Sequence, residues 1–113
     1  MLPEKQRLKI SRSRGVTWAD KKELYAPLFK MIYRLGQPAN PPKLGFIVSG
    51  KLGGSAKRNL VRRRFSEAAH HRLEKFPNGA EVVIIASKAA AEADYEEICT
   101  GLDKVLPKVH WGR

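Results

Sequence analysis

A single cysteine, Cys99, in 113 residues leaves no partner for an intramolecular disulfide and no thiolate cluster for a metal. No apolar run approaches the ~20 residues that span a bilayer, and the first residues carry no signal-peptide core. Acids are scarce: 11 Asp and Glu stand against 22 Lys and Arg, a formal charge of +11. The glycine-rich stretch Gly50–Gly54 lacks the Gly-Lys-Ser/Thr ending of a nucleotide-binding loop. Neither an internal repeat nor a second domain is visible. These absences point away from a secreted, disulfide-stapled or membrane-spanning protein, and a cytoplasmic one is expected.

What is present is enough for one folded domain over 1–113, with 42% apolar and 8% aromatic residues. The charge is unevenly placed. Residues 1–75 hold 18 basic and 5 acidic side chains, whereas 76–113 hold 4 and 6. Such a separation is rewarded by a polyanion. A membrane surface fits less well, because no helix pairs a basic face with large exposed apolar residues.

Residues 1–15 read as a basic, partly flexible arm. Thr17 and Asp20 resemble a capping box and predict a short helix through Trp18–Tyr25, ending before Pro27. Alternation predicts a strand over 28–35, with Phe29, Met31 and Tyr33 on one face and Lys30, Ile32 and Arg34 on the other. A proline-rich loop leads to a second strand over 43–49, apolar on both sides and so read as central. The glycine-rich loop then feeds a long helix from about Ala56 to Lys75. A strand over 81–87 and an amphipathic helix near Asp94–Leu106 complete the chain. Strand, long helix and strand in that order predict a βαβ unit with parallel strands. The fold class is α+β or α/β: one small sheet with helices packed on it.

The long helix carries the strongest signal. Lys57-Arg58-Asn59-Leu60-Val61-Arg62-Arg63-Arg64 holds five cations in eight residues and no acid. Val61, Phe65, Ala68, Ala69 and Phe76 share a packing face, whereas Asn59, Arg63, Ser66 and His70 form a polar stripe on another. Cations in the first turn oppose the helix dipole, at a few tenths of a kcal/mol each. A bound polyanion would reverse that sign, using the free N–H groups of the helix start and guanidinium forks on phosphates.

Leu44-Gly45-Phe46-Ile47-Val48-Ser49-Gly50-Lys51-Leu52-Gly53, followed by Ala56-Lys57-Arg58-Asn59 and Arg62-Arg63-Arg64, resembles the protein subunit of bacterial ribonuclease P. Val82–Ala86, Tyr95 with Glu97, and Arg7-Leu8 match further elements of that family. The resemblance implies a small α+β domain of the ribosomal protein S5 domain 2-like kind, with about four strands, two to three helices and a left-handed βαβ crossover. It implies RNA-binding residues Lys51, Lys57, Arg58, Asn59, Arg62, Arg63, Arg64 and His70, and a cleft for the single-stranded 5′ leader of precursor tRNA. Trp18, Phe29, Tyr33 and Lys88 are the residues expected to line that cleft, the aromatics by stacking on unpaired bases. By the same resemblance, the partners are ribonuclease P RNA and precursor tRNA, without a membrane. Cleavage belongs to the RNA with Mg2+, so the protein holds no catalytic or metal-binding residue of its own. It is a monomer in the holoenzyme, with an RNA-free dimer left open. The chain departs from the family pattern at Gly50, Leu60, Ser66 and Ser87. Of the two phenylalanines of the family's first helix, one position holds Arg14 and the other Trp18.

Two other classes stay open on the residues alone. One is a ribosomal or other structured-RNA-binding protein without a catalytic context. The other is a protein-only nuclease, for which neither a nucleophile with its base nor a carboxylate cluster is found. Cys99 has no nearby His in sequence. Glu92, Asp94, Glu96 and Glu97 crowd a helix start, where the dipole favours acids, and read as caps.

Overall fold

The computed structural model describes residues 21–37, 39–109 and 111. Period-two alternation in Phe29–Leu35 gives strand β2, with Phe29, Met31 and Tyr33 turned inward and at most 4% exposed. Before it comes β1 (Lys22–Tyr25), and after it β3 (Lys43–Ile47). Helix α1 spans Ser55–His70, β4 Ala80–Ala86 and α2 Tyr95–Val105. The sheet runs β1-β2-β4-β3: β2 pairs antiparallel with β1 and β4, and β3 pairs parallel with β4. The expected βαβ unit is therefore β3-α1-β4.

Both helices pack on one face of this sheet. Val61, Phe65, Ala68 and Ala69 of α1 and Ile98 and Leu102 of α2 join Phe29, Met31, Tyr33, Leu44, Val82 and Ile84 in a single core. Phe29 and Phe65 meet edge to face, with centroids 5.7 Å apart. The opposite face carries the alternate residues, among them Tyr25, Lys30, Ile32, Arg34, Val83 and Ile85.

Helix ends follow local chemistry. Asp94 caps α2 by accepting from the Glu97 N–H at 2.8 Å, and the Glu97 carboxylate accepts from the Asp94 N–H at 3.1 Å. The acids near residue 94 thus include a capping box, as their position predicts. At the end of α1, Arg72 donates from Nη1 to the Ala68 carbonyl at 3.0 Å, covering an acceptor the helix leaves open. The Arg72 Nε and Nη2 also grip the two Asp103 oxygens, at 2.7 and 3.1 Å. That hydrogen bonding holds the Asp103 carboxyl below the ordinary aspartate range and the guanidinium above its usual value.

Three expectations are corrected. Residues 22–25, read as the end of a helix, form an edge strand, because pairing Lys22–Tyr25 with Lys30–Tyr33 satisfies their backbone in a way that a short helix before Pro27 would not. The remainder of that expected helix, with Trp18, and the arm over 1–15 lie outside the described residues. The strand β3 sits at an edge of the described sheet, not in its centre. Its apolar residues face the core on one side and the second sheet face on the other. Helix α1 stops at His70, and Leu73–Lys75 forms a separate 3-10 turn.

Phe65→Ala removes the ring at the centre of the core and should cost about 3–5 kcal/mol in urea unfolding. The Arg72–Asp103 pair should set part of the acid sensitivity. Because folding lowers the Asp103 pKa, its contribution is complete above the unfolded value of about 3.9 and is lost as pH falls through the folded one. The stability gap between wild type and Asp103→Asn should therefore stay constant from neutral pH down to about 5 and shrink below about 4.

Candidate nucleic-acid interface

The turn between β3 and α1 is built so that its backbone lies open. Ser49 accepts from the Lys51 N–H at 3.1 Å and starts a 3-10 turn over Gly50–Leu52. Gly53 then takes φ +139°, in the region that favours glycine, and a Cβ there would sit 3.1 Å from the Lys57 stem. Gly54 occupies the N-cap of α1 with no side chain to cap it, and the first turn holds no acid. The helix therefore starts with free N–H groups, a positive dipole end and a row of cations.

The expected RNA-binding residues divide into groups. Lys51 is exposed on the turn, Arg63 and Asn59 are exposed on α1, and Lys57, Arg58 and Arg62 are half-buried beside them. Arg62 donates from Nη1 to Asn59 Oδ1 at 3.0 Å, which fans the two side chains together. The Nε of Arg58 is buried with no protein acceptor. Arg64 differs. Its Nη1 donates to the Ala93 carbonyl at 2.7 Å, so it ties α1 to the start of α2. Ser66 is buried and interrupts the polar stripe, leaving half-buried His70 apart from Asn59 and Arg63. His70 Nδ1 is buried without a partner, and its ring meets His71 edge-on at 5.7 Å.

Of the residues expected to line the leader cleft, the described ones, Phe29, Tyr33 and Lys88, are not brought together on a surface. Phe29 and Tyr33 are 1% and 4% exposed on the helix side of the sheet, Tyr33 edge-on to Trp111 at 5.3 Å. They are core residues, because the inward side of β2 is the side both helices cover. Lys88 is exposed beyond the end of β4, and Trp18 lies outside the described residues. Sequence reasoning passed over the opposite face. There Tyr25 is 75% exposed, with Lys30 Nζ 5.2 Å from its ring centroid. Lys30 pairs with Glu23 at 2.6 Å, which lowers the Glu23 pKa and raises that of Lys30. Arg34 meets its cross-strand neighbour Glu81 at 2.5 Å. The signal was the other half of the β2 alternation, Lys30 and Arg34 two positions apart.

The family model described as Ribonuclease P matches residues 2–110. This chain belongs to the ribonuclease P protein family. The ribonuclease P protein component of Streptomyces griseus is 35% identical over 77 residues, covering 68% of this chain and 63% of that protein. The one from Nocardioides sp. is 32% identical over 77 residues, 66% of each. The chain thus spans about 63% of the length of the Streptomyces relative it matches. Among solved structures, the Staphylococcus aureus RNase P protein superposes with a TM-score of 0.78 at 20% identity, covering 91% of this chain and 94% of that one. The Thermotoga maritima protein superposes at 0.72 and 22% identity, over 80% and 86%. These likenesses establish the fold as that of ribonuclease P proteins.

If Arg58, Arg62 and Arg63 hold phosphates, replacing any one with Ala should weaken RNA binding and lower the slope of log K against log salt by about 1. Titrations of a structured RNA at several salt concentrations check this, and three unchanged slopes would defeat the assignment.

Proposed function

We propose that this chain acts as the protein subunit of ribonuclease P. It binds the catalytic RNA through α1 and the glycine-rich turn, and it helps that RNA cut the 5′ leader from precursor tRNA in the cytoplasm. Family membership carries this reading. The uncapped, cation-rich start of α1 supports it independently, since free helix N–H groups and guanidinium forks both suit phosphate. Lys51, Lys57, Arg58, Asn59, Arg62 and Arg63 are the RNA-facing set.

The leader is assigned to the sheet face opposite the helices. Tyr25 offers an exposed ring, and stacking on such a ring contributes about 1–3 kcal/mol per base. Lys30 and Arg34 lie on the same face, each paired with a carboxylate, and Lys88 stands beyond the end of the central strand β4. The chemistry is left to the RNA component with its Mg2+, and the protein alone is expected to cleave nothing. Among the described residues no three His, Cys, Asp or Glu side chains gather as a metal site. One copy per holoenzyme is the expected stoichiometry.

Cleavage of a precursor tRNA by a bacterial ribonuclease P RNA at low Mg2+ tests the proposal. Adding the protein should stimulate 5′ cleavage, Arg58→Ala should reduce the stimulation, and the protein without RNA should give no product. Tight, salt-sensitive RNA binding without stimulation would instead favour a structured-RNA-binding protein with no catalytic context. For the leader, Tyr25→Ala should weaken precursor tRNA binding while mature tRNA binding holds. Equal losses for both would remove Tyr25 from the leader site.

A further inference from the structure

Two guanidinium groups of this basic region, Arg64 and Arg72, are already spent inside the protein. Arg64 reaches the Ala93 carbonyl at the start of α2, and Arg72 reaches Asp103 near its end while also covering Ala68 of α1. We infer that Arg64 and Arg72 are positioning residues for the RNA interface, two clasps that fix how α1 lies on α2. This inference rests on the RNA-binding reading above and deepens it.

The need for clasps comes from the packing beneath them. Where α1 approaches its end, its buried contacts are Ser66, Ala68 and Ala69, small side chains that permit close approach but offer little interlock. Val61 and Phe65 already seat the middle of α1 in the core, and the clasps restrain the rotation that this packing still permits. Held at two separate places along α2, the helix resists both rotation and sliding. The demand at the other end is strict. A turn of about 20° moves a group at the rim of a helix of ~5–6 Å radius by roughly 2 Å, more than the whole tolerance of a hydrogen bond. Arg62 and Arg63, fixed to the helix, would then miss their phosphates.

The Arg72 clasp has the geometry for that task. Its guanidinium donates along three directions to three acceptors, and its side chain is only 16% exposed. Lys75 adds a second cation, 3.8 Å from the same Asp103 oxygen. Asp103 is the only acid that this pair of cations shares among the described contacts, so the clasp hinges on one exposed carboxylate.

Asp103→Asn separates positioning from plain electrostatics by sign. The substitution raises the net charge by one, so long-range attraction alone predicts equal or tighter RNA binding. Positioning predicts weaker binding, by about 3- to 10-fold, with a smaller salt slope, because Arg62 and Arg63 lose phosphate contacts when the helix turns. Glu96→Gln, on the exposed first turn of α2, makes the same charge change away from the clasp and serves as the control. Affinities for a bacterial ribonuclease P RNA are read at a temperature where circular dichroism shows every variant folded. Asp103→Asn weaker than Glu96→Gln and with a smaller slope supports the inference, and equal affinity or equal slope overturns it. If Asp103→Asn does not fold, Arg72→Lys decides. It keeps the charge and loses the fork, so weaker binding with a smaller slope supports positioning, and wild-type affinity or an unchanged slope overturns it. A wild-type protein with no salt-sensitive binding to this RNA would overturn the RNA-binding reading itself, a result distinct from either of these.

Discussion

Strands β3 and β4 lie side by side and run the same way, and parallel neighbours cannot be joined by a tight turn. The chain has to travel back along one face of the sheet, and α1 is that return. Much else depends on it. The return buries Val61, Phe65, Ala68 and Ala69 against the strands, which gives the domain its core. It also fixes where the helix begins, at an open glycine turn beyond the end of β3. A helix whose first turns carry cations and no cap would be a poor helix alone. Here the sheet holds it in place, so the electrostatic cost at its start persists in the folded protein and is available to be relieved by an anion.

The basic residues of this region are not equivalent, although they look so in a row of letters. Arg58 keeps a buried donor without a protein acceptor, and Arg63 stands in solvent. Arg64, one residue on, turns to the Ala93 carbonyl, because 100° of helix rotation separates it from Arg63 and brings it towards α2. The same net charge is therefore placed in two ways: an outward set, proposed above to meet RNA, and an inward set that fastens one helix to the other. Charge counting cannot separate the two; the angular position around the helix does.

Much of this was legible in the residues. The strands over 29–35, 43–47 and 80–86, both helices and the parallel βαβ unit follow from periodicity, glycine and proline placement, and capping chemistry. The family was legible in the order of its motifs. What escaped had physical causes. Lys22–Tyr25 has no strong pattern of its own, and only its pairing with β2 makes it a strand. Alternation in β2 separates two faces without saying which one the helices will cover, so it does not decide whether Phe29 and Tyr33 stack on bases or, as the structure has them, pack in the core. An edge strand apolar on both sides, as β3 is, gives the same letters as a central one. The end of α1 is set by Arg72 reaching back to Ala68, a contact made by a side chain beyond the helix itself.

The central pairing of the sheet has a consequence for how the chain is made. Strand β2 can complete its ladder only with β4, whose residues lie 45 to 57 positions further along. Contacts of that separation form late and slow a domain's folding. Synthesis runs from the amino terminus, so the whole cation-rich stretch up to Lys75 is finished before β4 exists to close the sheet. For that interval a polycationic, half-built domain stands beside the ribosome, itself largely RNA. The order of the strands thus makes the nascent chain most exposed to stray polyanions at the moment when it is least able to choose among them.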